Sequence, residues 1–438
     1  MKLIVHPGEP LAGRVIPPGD KSITHRAFLL ALIARGPTRV FGANSGADCA
    51  STLDCARALG LNAAYESGAW NLTPRPLTEP ARVLDCGNSG TTMRLLPGVL
   101  AAQPFLSVLT GDESLSRRPV ARVIEPLRLM GASLFARGGD RLPPLIVRGG
   151  ALSPIRYALP VASAQVASCL LLAGLFANGE SAVEIPGPAR DHTERMLRAA
   201  GVPIDETPIA GGGRQVCVTG PARPEGGEIR LPGDFSAAAF FLAAAAARPG
   251  SRVTAEGVGL NPTRTGLLDV LEAMGARIER TCLREEMGEP VGDVSVTGPD
   301  RLQAFDVPPE WMPRLIDEAP AWAIAASAAP GISRLAGASE LRIKESDRIS
   351  SLSKNLSRLG IVTRERPDGL EVEGGVPRGG TVVSDGDHRI AMAFAALASR
   401  AASPVTIDDA ASIATSYPGF AGALAALGAR VETENERP

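Results

Sequence analysis

Two kinds of hydrophobic pattern alternate along this chain. The first is an amphipathic helix that ends in a glycine and continues into a short strand-like stretch. It occurs six times, with its terminal glycines at Gly60, Gly131, Gly201, Gly275, Gly360 and Gly428. Glycine adopts the left-handed conformation that commonly follows a helix, so each of these residues predicts a helix C-terminus. Their spacing indicates a repeating unit of about 70 residues.

The second pattern is a helix that is apolar on every face and leads into a β-like stretch. Six segments have it: ITHRAFLLALIA, GTTMRLLPGVLAA, SAQVASCLLLAGLFA, FSAAAFFLAAAAA, EAPAWAIAASAA and HRIAMAFAALASR. Such helices must be buried on all sides, whereas the glycine-ended helices keep a polar face for solvent. The two patterns together predict an α/β protein with buried helices inside and sheets outside.

Six units of this size are too large for a solenoid of short repeats, and two domains of three units fit better. The fourth glycine-to-glycine step is the longest, which indicates an insertion near 284–292. One domain junction is expected around 230–233 and a second near 18–20. The predicted domains are residues 1–20 with 233–438, and the inserted residues 21–232, with the active site in the cleft between them.

Charge and composition narrow the class of protein. Of the 438 residues, 45% are hydrophobic and 21% charged, which is typical of a globular protein. The formal net charge is -2 and the sequence pI is about 6.2, which argues against a general electrostatic attraction to nucleic acid or anionic membranes. Any anion site must therefore be local.

The cysteines and the N-terminus indicate the compartment. The six cysteines are scattered without a C-x-x-C pair, so we expect reduced thiols and no metal. Residues 1–13 contain one lysine and are interrupted by Pro7 and Pro10, so they are not expected to act as a secretory signal. The longest apolar run, 235–247, is shorter than the roughly 20 residues of a membrane span. A cytoplasmic location is predicted.

Polar residues lie at the starts of the apolar helices, in the segments PGDKSITHR, CGNSGTT, PVASAQ, GDFS, IDEAP and DGDHR. Helix N-termini present free N–H groups and a partial positive charge, so they are natural anion sites. Capping by Ser, Asp and Asn is the alternative explanation for most of these residues. Capping does not explain Lys21, Arg26, Gln165 or Arg389.

The segment PGDKSITHR resembles the N-terminal motif of the 5-enolpyruvylshikimate-3-phosphate synthase (EPSP synthase) family. Further segments resemble that family's motifs in the same order: DCGNSGTTMRLL, TGDESLSRRP, LPVASAQVASCLLLAGL, RDHTERML, GDFSAAAFFLAAA, IDEAP, ELRIKESDRI, DGDHRIAMAFAALA and ATSYPGF. The resemblance spans nearly the whole chain. It implies the enolpyruvyl transferase fold, an inside-out α/β barrel, and transfer of the enolpyruvyl group of phosphoenolpyruvate to shikimate 3-phosphate.

The resemblance also implies the site residues, because two phosphorylated carboxylates need many cations. Those implied for shikimate 3-phosphate are Lys21, Ser22, Arg26, Ser163, Ala164, Gln165, Arg190, Asp317 and Lys344. Those implied for phosphoenolpyruvate are Lys21, Asn88, Gly90, Thr91, Arg118, Gln165, Arg348 and Arg389. No cofactor and no metal are implied; glyphosate is expected as a competitive inhibitor, and the protein as a monomer.

The implied chemistry is addition followed by elimination, which needs an acid and a base. Asp317 is assigned as the base and Glu345 as the acid, since burial and nearby charge can separate the pKa values of two carboxylates. Lys21 would contact the hydroxyl and the bridging oxygen. A rival family, the UDP-N-acetylglucosamine enolpyruvyl transferases, needs a loop cysteine that TGDESLSRRP lacks. An anion-binding scaffold without catalysis is the other alternative.

Structural explanations remain open for several of these residues. Arg26 and Arg94 could be buried salt-bridge partners, and Asp317 could simply cap the helix that follows it. Lys344 and Arg348 would share one face if KESDR were helical, where Glu345 and Asp347 could form an ordinary ion-pair network with them. The histidines that flank motif residues are interpreted as structural: His25, His192 and His388.

Three positions depart from the pattern of some relatives. Gly90 replaces an alanine, which should leave the space beside phosphoenolpyruvate unobstructed. Glu340 replaces an asparagine before the R-x-K-E block. Thr415 replaces a lysine for the phosphate of phosphoenolpyruvate, so that cation must come from elsewhere.

Overall fold

The computed structural model describes residues 1–434 and contains both helices and strands along its whole length. The chain divides into two compact units. The first unit contains Met1–Pro18, Gly233–Arg284 and the residues from Pro290 onward, and the second contains Gly19–Pro232 and Glu285–Glu289. That these units act as two functional domains with an active site between them stays a prediction.

The elements follow one another in this order. The first unit opens with β1 (Lys2–His6) and β2 (Ala12–Val15). The second unit contains α1 (Lys21–Ile33), β3 (Thr38–Phe41), α2 (Ala47–Ala58), β4 (Asn62–Glu66), β5 (Ala69–Thr73), β6 (Leu84–Asp85), α3 (Gly90–Leu100), β7 (Leu106–Thr110), α4 (Ala121–Leu129), β8 (Ser133–Ala136), α5 (Arg137–Asp140), β9 (Leu142–Arg148), β10 (Arg156–Ala158), α6 (Ala164–Gly174), β11 (Gly179–Ile185), α7 (His192–Ala199), β12 (Ile204–Ile209), β13 (Gly213–Gly220) and β14 (Gly227–Arg230).

The first unit continues with α8 (Phe235–Ala246), β15 (Arg252–Gly259), α9 (Gly266–Ala273), β16 (Arg277–Glu286), β17 (Glu289–Thr297), β18 (Asp306–Val307), α10 (Met312–Leu315), α11 (Ala319–Ala326), β19 (Ile332–Leu335), α12 (Arg348–Arg358), β20 (Thr363–Arg366), β21 (Gly369–Glu373), β22 (Gly380–Val383), α13 (His388–Ala398), β23 (Val405–Asp408), α14 (Phe420–Ala426) and β24 (Arg430–Glu434). Short 3₁₀ helices lie at Leu115–Arg117, Ala210–Gly212, Pro309–Trp311, Ile316–Glu318, Ser339–Ile343 and Ala410–Thr415.

The strands form six four-stranded sheets, three in each unit, and the predicted α/β class is confirmed. In the second unit their orders are β14-β3-β5-β4, β6-β7-β9-β8 and β10-β11-β13-β12. In the first they are β2-β15-β17-β16, β18-β19-β21-β20 and β22-β23-β1-β24. Each sheet begins with a parallel pair, for example β6 with β7, whose second strand pairs antiparallel with the third, here β9. Within residues 1–434 no sheet closes into a barrel.

In chain order, a buried helix directly precedes the second strand of the parallel pair in every sheet. These helices are α1, α3, α6, α8, α11 and α13, and all twelve residues of α8 are buried. They supply much of the separate hydrophobic core of each unit. Burial alternates along strands such as β9, as expected where one face packs on the core and the other faces solvent. The prediction of buried helices is confirmed.

The six predicted helix ends are confirmed as well. Each glycine follows the last helical residues with a positive φ, from +77° at Gly201 to +112° at Gly60. At the end of α2, Gly60 N–H donates to the carbonyl of Arg57 and Leu61 N–H to that of Ala56, both at 3.0 Å. This is the Schellman arrangement, in which a left-handed residue lets two late amides satisfy the orphan carbonyls of the last turn.

The insertion expected near 284–292 lies in the hairpin of β16 and β17, whose strands have 10 and 9 residues. Residues 285–289 at its tip belong to the second unit. Among residues 1–434, no helix combines the length and the apolar character needed to cross a bilayer.

Two glycines in the first unit give a matched test of the helix-end argument. Gly275 has φ +98° and open space where a Cβ would lie, so Gly275→Ala is expected to lower the free energy of unfolding by about 1 to 2 kcal/mol through backbone strain alone. Gly422 lies exposed inside α14 with equally open space, and Gly422→Ala should raise it by about 1 kcal/mol. Urea unfolding of both variants measures this, and shifts of the same sign would contradict the argument.

Candidate functional site

Three buried helices of the second unit begin with the same arrangement. Asp20, Ser89 and Ser163 each accept a hydrogen bond from the backbone N–H three residues later, at 2.9, 3.0 and 3.4 Å. Capping therefore explains these side chains, including the predicted site residue Ser163. The first helical residues are then Lys21, Gly90 and Ala164, which are predicted site residues, and Ser22 follows Lys21 in the first turn of α1.

Two cations of α1 have different partners. Lys21 lies 3.0 Å from the carboxylate of Asp48. Arg26 is buried, and it donates to the hydroxyls of Thr193 at 2.7 Å and Ser168 at 2.9 Å and to the carbonyl of Ser22 at 2.9 Å. Burial lowers the pKa of Arg26 to about 10, although the nearby carboxylate of Glu194 opposes the shift. Arg26 is therefore a buried cation held mainly by neutral oxygens.

A second group of residues surrounds the start of α3. Gln165 connects two of them: its amide oxygen accepts from Arg94 Nη1 at 2.9 Å, and its amide nitrogen donates to the hydroxyl of Thr91 at 3.2 Å. A Cβ on Gly90 would lie 2.9 Å from Arg94 Nη1 and 3.0 Å from Arg118 Nη1. Gly90 therefore leaves room for the ends of two guanidinium groups.

Asn88 precedes this group and contacts both an acid and a cation. Its side-chain amide donates to Asp112 at 2.8 Å, and its carbonyl accepts from Arg118 at 3.5 Å. Arg118 is buried at 8% exposure. The five predicted phosphoenolpyruvate residues around α3 and α6 thus form one connected polar cluster: Asn88, Gly90, Thr91, Arg118 and Gln165.

In the first unit, Arg348 is the centre of the candidate site. It is fully buried, and its Nε donates to Asp387 Oδ2 at 2.7 Å while its Nη2 donates to Glu345 Oε2 at 2.6 Å. Its Nη1 lies 3.5 Å from Asp317 Oδ1. Burial alone would lower the pKa of Arg348, but Asp387, Glu345 and Asp317 together raise it above its ordinary value.

Two more cations approach Asp317. Lys344 Nζ lies 3.9 Å from its Oδ1 and also 2.8 Å from Glu340. Arg389 Nη1 donates to the carbonyl of Asp317 at 2.9 Å, and its Nη2 lies 3.8 Å from Oδ2. The five predicted residues of this unit, which are Asp317, Lys344, Glu345, Arg348 and Arg389, are therefore brought together.

Two structural alternatives raised by the sequence are wrong: a helical KESDR segment, and Asp317 as the cap of α11. KESDR is not helical, because Asp347 caps α12 by accepting from Ser350 N–H at 3.0 Å, and the helix begins only at Arg348. Lys344 has an extended backbone, so it does not share a helical face with Arg348. Asp317 does not cap α11, whose N-cap position is Glu318. Its side chain is instead within 4 Å of three cationic side chains.

Comparisons with known proteins identify the family of the chain. The family model for EPSP synthase (3-phosphoshikimate 1-carboxyvinyltransferase) matches residues 5–424. The chain belongs to the EPSP synthase family. A relative named 3-phosphoshikimate 1-carboxyvinyltransferase from Anaeromyxobacter sp. (strain K) is 52% identical over 94% of this chain and 92% of that protein. One of the same name from Acidithiobacillus ferrooxidans is 48% identical over 96% of both.

Solved structures of enolpyruvyl transferases have a similar fold. The EPSP synthase from Acinetobacter baumannii has a TM-score of 0.88 at 40% identity, covering 99% of this chain and 100% of that one. The enolpyruvyl transferase NikO from Streptomyces tendae has a TM-score of 0.77 at 18% identity, covering 98% of both chains, and shows a shared fold alone. The predicted fold class is confirmed, while the roles of the individual site residues stay predictions.

The sequence interpretation missed two residues of these clusters. It treats Arg94 only as a buried salt-bridge partner, yet Arg94 contacts Gln165 and adjoins Gly90. It does not select Asp387, which is fully buried and binds Arg348 through both oxygens. The signal is present in DGDHR, where an aspartate directly precedes an apolar helix, but that pattern is also that of an ordinary cap.

Glu340 and Thr415, two of the positions that depart from some relatives, each contact a residue close by in the sequence. The Glu340 carboxylate accepts from Lys344 and so adds an acid to the first-unit cluster. The hydroxyl of Thr415 donates to the carbonyl of Ser412 at 2.7 Å within its own 3₁₀ segment. Thr415 therefore supplies a neutral hydroxyl, already used locally, where some relatives have a cation.

His25 is buried between the cations of α1, and its Nδ1 lies 2.6 Å from the hydroxyl of Thr52. Burial, followed by the charges of Lys21 and Arg26, holds its pKa well below the ordinary 6.5, and Asp20 opposes this shift. His25 is therefore neutral in the folded protein at neutral pH. His192 and His388 are also buried.

The lowered pKa of His25 predicts a loss of stability in mild acid. Below about pH 6.5 the unfolded chain binds a proton that the folded chain does not, so the free energy of unfolding should fall as pH drops, by about 1 kcal/mol at pH 5.5. His25→Gln removes this titrating group. Denaturant unfolding at pH 7.0 and 5.5 should show a smaller loss in the variant than in the wild type, and an equal loss would contradict the prediction.

Proposed function

We propose that this chain transfers the enolpyruvyl group of phosphoenolpyruvate to the 5-hydroxyl of shikimate 3-phosphate and releases phosphate. The observation that carries the proposal is the family match over residues 5–424. We further propose that the enzyme is a cytoplasmic monomer.

The cations of the second unit support the binding of two phosphorylated substrates. Lys21, Arg26 and Arg190 would hold shikimate 3-phosphate. Lys21 and Arg190 lie at or near helix N-termini, where the peptide dipoles also favour anions, and Arg26 in the second turn of α1 reaches back to the carbonyl of Ser22. Arg118 and the start of α3 would hold phosphoenolpyruvate. In the first unit, Arg348 and Arg389 would contribute further charge to phosphoenolpyruvate.

Each step of the reaction moves two protons. In the addition, the 5-hydroxyl oxygen attacks C2 of phosphoenolpyruvate and gives up its proton to the base, while C3 accepts a proton from the acid. In the elimination, the new methyl group returns a proton to the deprotonated acid, and phosphate leaves with the proton that the base had taken up. Asp317, whose carboxylate has Lys344, Arg348 and Arg389 within 4 Å, would act as the base. Glu345 would deliver the proton to C3, and Lys21 would stabilise charge on the bridging oxygen.

The proposal is tested directly by incubating the purified protein with both substrates. We expect phosphate release that requires both phosphoenolpyruvate and shikimate 3-phosphate, with a product mass equal to the two substrates minus phosphoric acid. Turnover with UDP-N-acetylglucosamine in place of shikimate 3-phosphate would favour the rival transferase. Binding of both anions without phosphate release would favour a scaffold.

Neutral isosteres test the acid and the base. Asp317→Asn and Glu345→Gln should each lower kcat about a hundredfold or more, because general acid–base catalysis contributes at least that factor. The control is Asp306→Asn, which removes an exposed carboxylate of the same unit that pairs with Arg334. Steady-state rates equal to those of this control would remove the residue in question from its role.

Glyphosate sensitivity tests the position of Gly90. We expect glyphosate to compete with phosphoenolpyruvate, and Gly90→Ala to weaken glyphosate more than the substrate. The added methyl would displace the ends of Arg94 and Arg118, which it would approach to 2.9 and 3.0 Å. Overpacking of about 1 to 3 kcal/mol corresponds to a five- to hundredfold weaker inhibition constant, and glyphosate, the longer molecule, should lose more.

Inhibition kinetics of the wild type and Gly90→Ala decide this. Equal inhibition constants, or inhibition that is not competitive with phosphoenolpyruvate, would defeat the prediction. Gly150→Ala is a suitable control, since a Cβ at that position would have no neighbouring atom within 4 Å.

A further inference from the structure

The tip of the β16–β17 hairpin, residues 285–289, lies in the second unit beside the start of α7. Met287 packs against the hydrophobic core of that unit. The tip corresponds to the inserted residues of the fourth repeat, and none of the proposed substrate-binding or catalytic roles uses it. Polar contacts and a close backbone approach join the tip to α7, and these contacts indicate a role for the tip.

Two polar contacts join the tip to α7, and a third lies within the start of the helix. Arg195 Nη1 donates to the carbonyl of Gly288 at 2.9 Å, and Arg195 Nε donates to Asp191 at 2.8 Å. His192 Nδ1 lies 2.7 Å from Glu289 Oε1, with side-chain exposures of 2% and 0%. Burying a carboxylate is costly unless it is paired, so Glu289 relies on its buried partners, of which His192 is one.

The backbone at the tip also fits closely against the helix. Gly288 has φ +75°, and a Cβ there would lie 3.0 Å from the carbonyl oxygen of Arg195. The position therefore favours glycine both for its conformation and for its close approach. This close contact between Gly288 and Arg195 fixes the distance between the tip and the first turns of α7.

The start of α7 carries groups that the candidate site needs. Arg190 lies two residues before the helix, and Thr193 in its first turn accepts from Arg26 Nε at 2.7 Å. The hydroxyls of Thr193 and Ser168 are 2.6 Å apart, and both bind the Arg26 guanidinium. A displacement of α7 would therefore move Thr193, a partner of Arg26, and the backbone of Arg190. Both arginines are predicted to bind shikimate 3-phosphate.

We propose that Glu289 and His192 are positioning residues that hold the start of α7 so that Arg26 and Arg190 are preorganised for shikimate 3-phosphate. This rests on the proposed function. The contact acts on one substrate only, because α7 supplies no group assigned to phosphoenolpyruvate. Preorganised cations bind their anion without the cost of ordering, so loss of the contact should appear in the affinity for that anion.

The decisive variant is Glu289→Ala, compared with Glu285→Ala, which removes an exposed carboxylate from the same tip. We expect the KM for shikimate 3-phosphate to rise about tenfold in Glu289→Ala, with the KM for phosphoenolpyruvate and kcat within about twofold. Glu289→Gln keeps the shape and a hydrogen-bond acceptor, so it should restore most of the affinity. Equal changes in both KM values, or none, would overturn the proposal.

A second measurement does not depend on activity. Hydrogen exchange of the α7 amides, residues 192–199, should be faster in Glu289→Ala than in Glu285→Ala. If the two variants exchange equally fast, the proposed contact is overturned, whether or not the protein turns over shikimate 3-phosphate. If the exchange rates differ but the wild type is inactive, only the proposed function is contradicted. If Glu289→Ala does not fold, His192→Gln provides the same comparison from the helix side.

Asp191, His192 and Glu289 also have potential ligand atoms within 4.8 Å of one another, which raises a metal site as an alternative. Asp191 pairs with Arg195, and Glu289 lies within hydrogen-bonding distance of His192, so both carboxylates already have polar partners. A KM for shikimate 3-phosphate that rises on dialysis against a chelator and recovers with added Zn²⁺ would replace the proposed contact by a metal site. An unchanged KM supports the proposal.

Discussion

Helices without a polar face impose the main constraint on this protein. Such a helix must be enclosed along its length, so only its ends can carry groups that contact solvent or a ligand. In α8 all twelve residues are buried, and its polar residues lie at the start, in the N-cap Asp234 and in Ser236. Because the N-terminal end offers free N–H groups and a partial positive charge, these ends are suited to anions. The predicted site residues accordingly lie at or close to helix starts.

The two units surround their buried arginines with different partners, neutral oxygens in one and carboxylates in the other. In the second unit, burial lowers the pKa of Arg26 to about 10 against the opposing charge of Glu194, and the side chain is held by two hydroxyls and a carbonyl. In the first unit, Arg348 has three carboxylates around it and its pKa rises. A cation with neutral partners gains most from an incoming phosphate. A cluster that already contains carboxylates can instead supply proton-transfer groups beside its cations.

Local sequence patterns predicted the repeating elements well, because each depends on chemistry within a few residues. Gly60 and its five counterparts end helices as expected, since a left-handed residue is needed there whatever the surroundings. The same reasoning failed for KESDR, where the spacing suggests a helix but the Asp347 cap delays its start. The contact between Glu289 and His192 could not be foreseen, because it joins residues 97 positions apart and leaves no periodic signal.

Asp387 combines the capping of a helix with contacts to a predicted site residue. Its Oδ1 accepts from the backbone N–H of Arg389 at 2.9 Å, and so it caps α13. Its Oδ2 accepts from Arg348 Nε at 2.7 Å and from the hydroxyl of Ser346 at 3.1 Å. One buried carboxylate thus fixes the backbone of one predicted phosphoenolpyruvate-binding arginine and the side chain of the other. The positions of both arginines therefore depend on the same buried carboxylate.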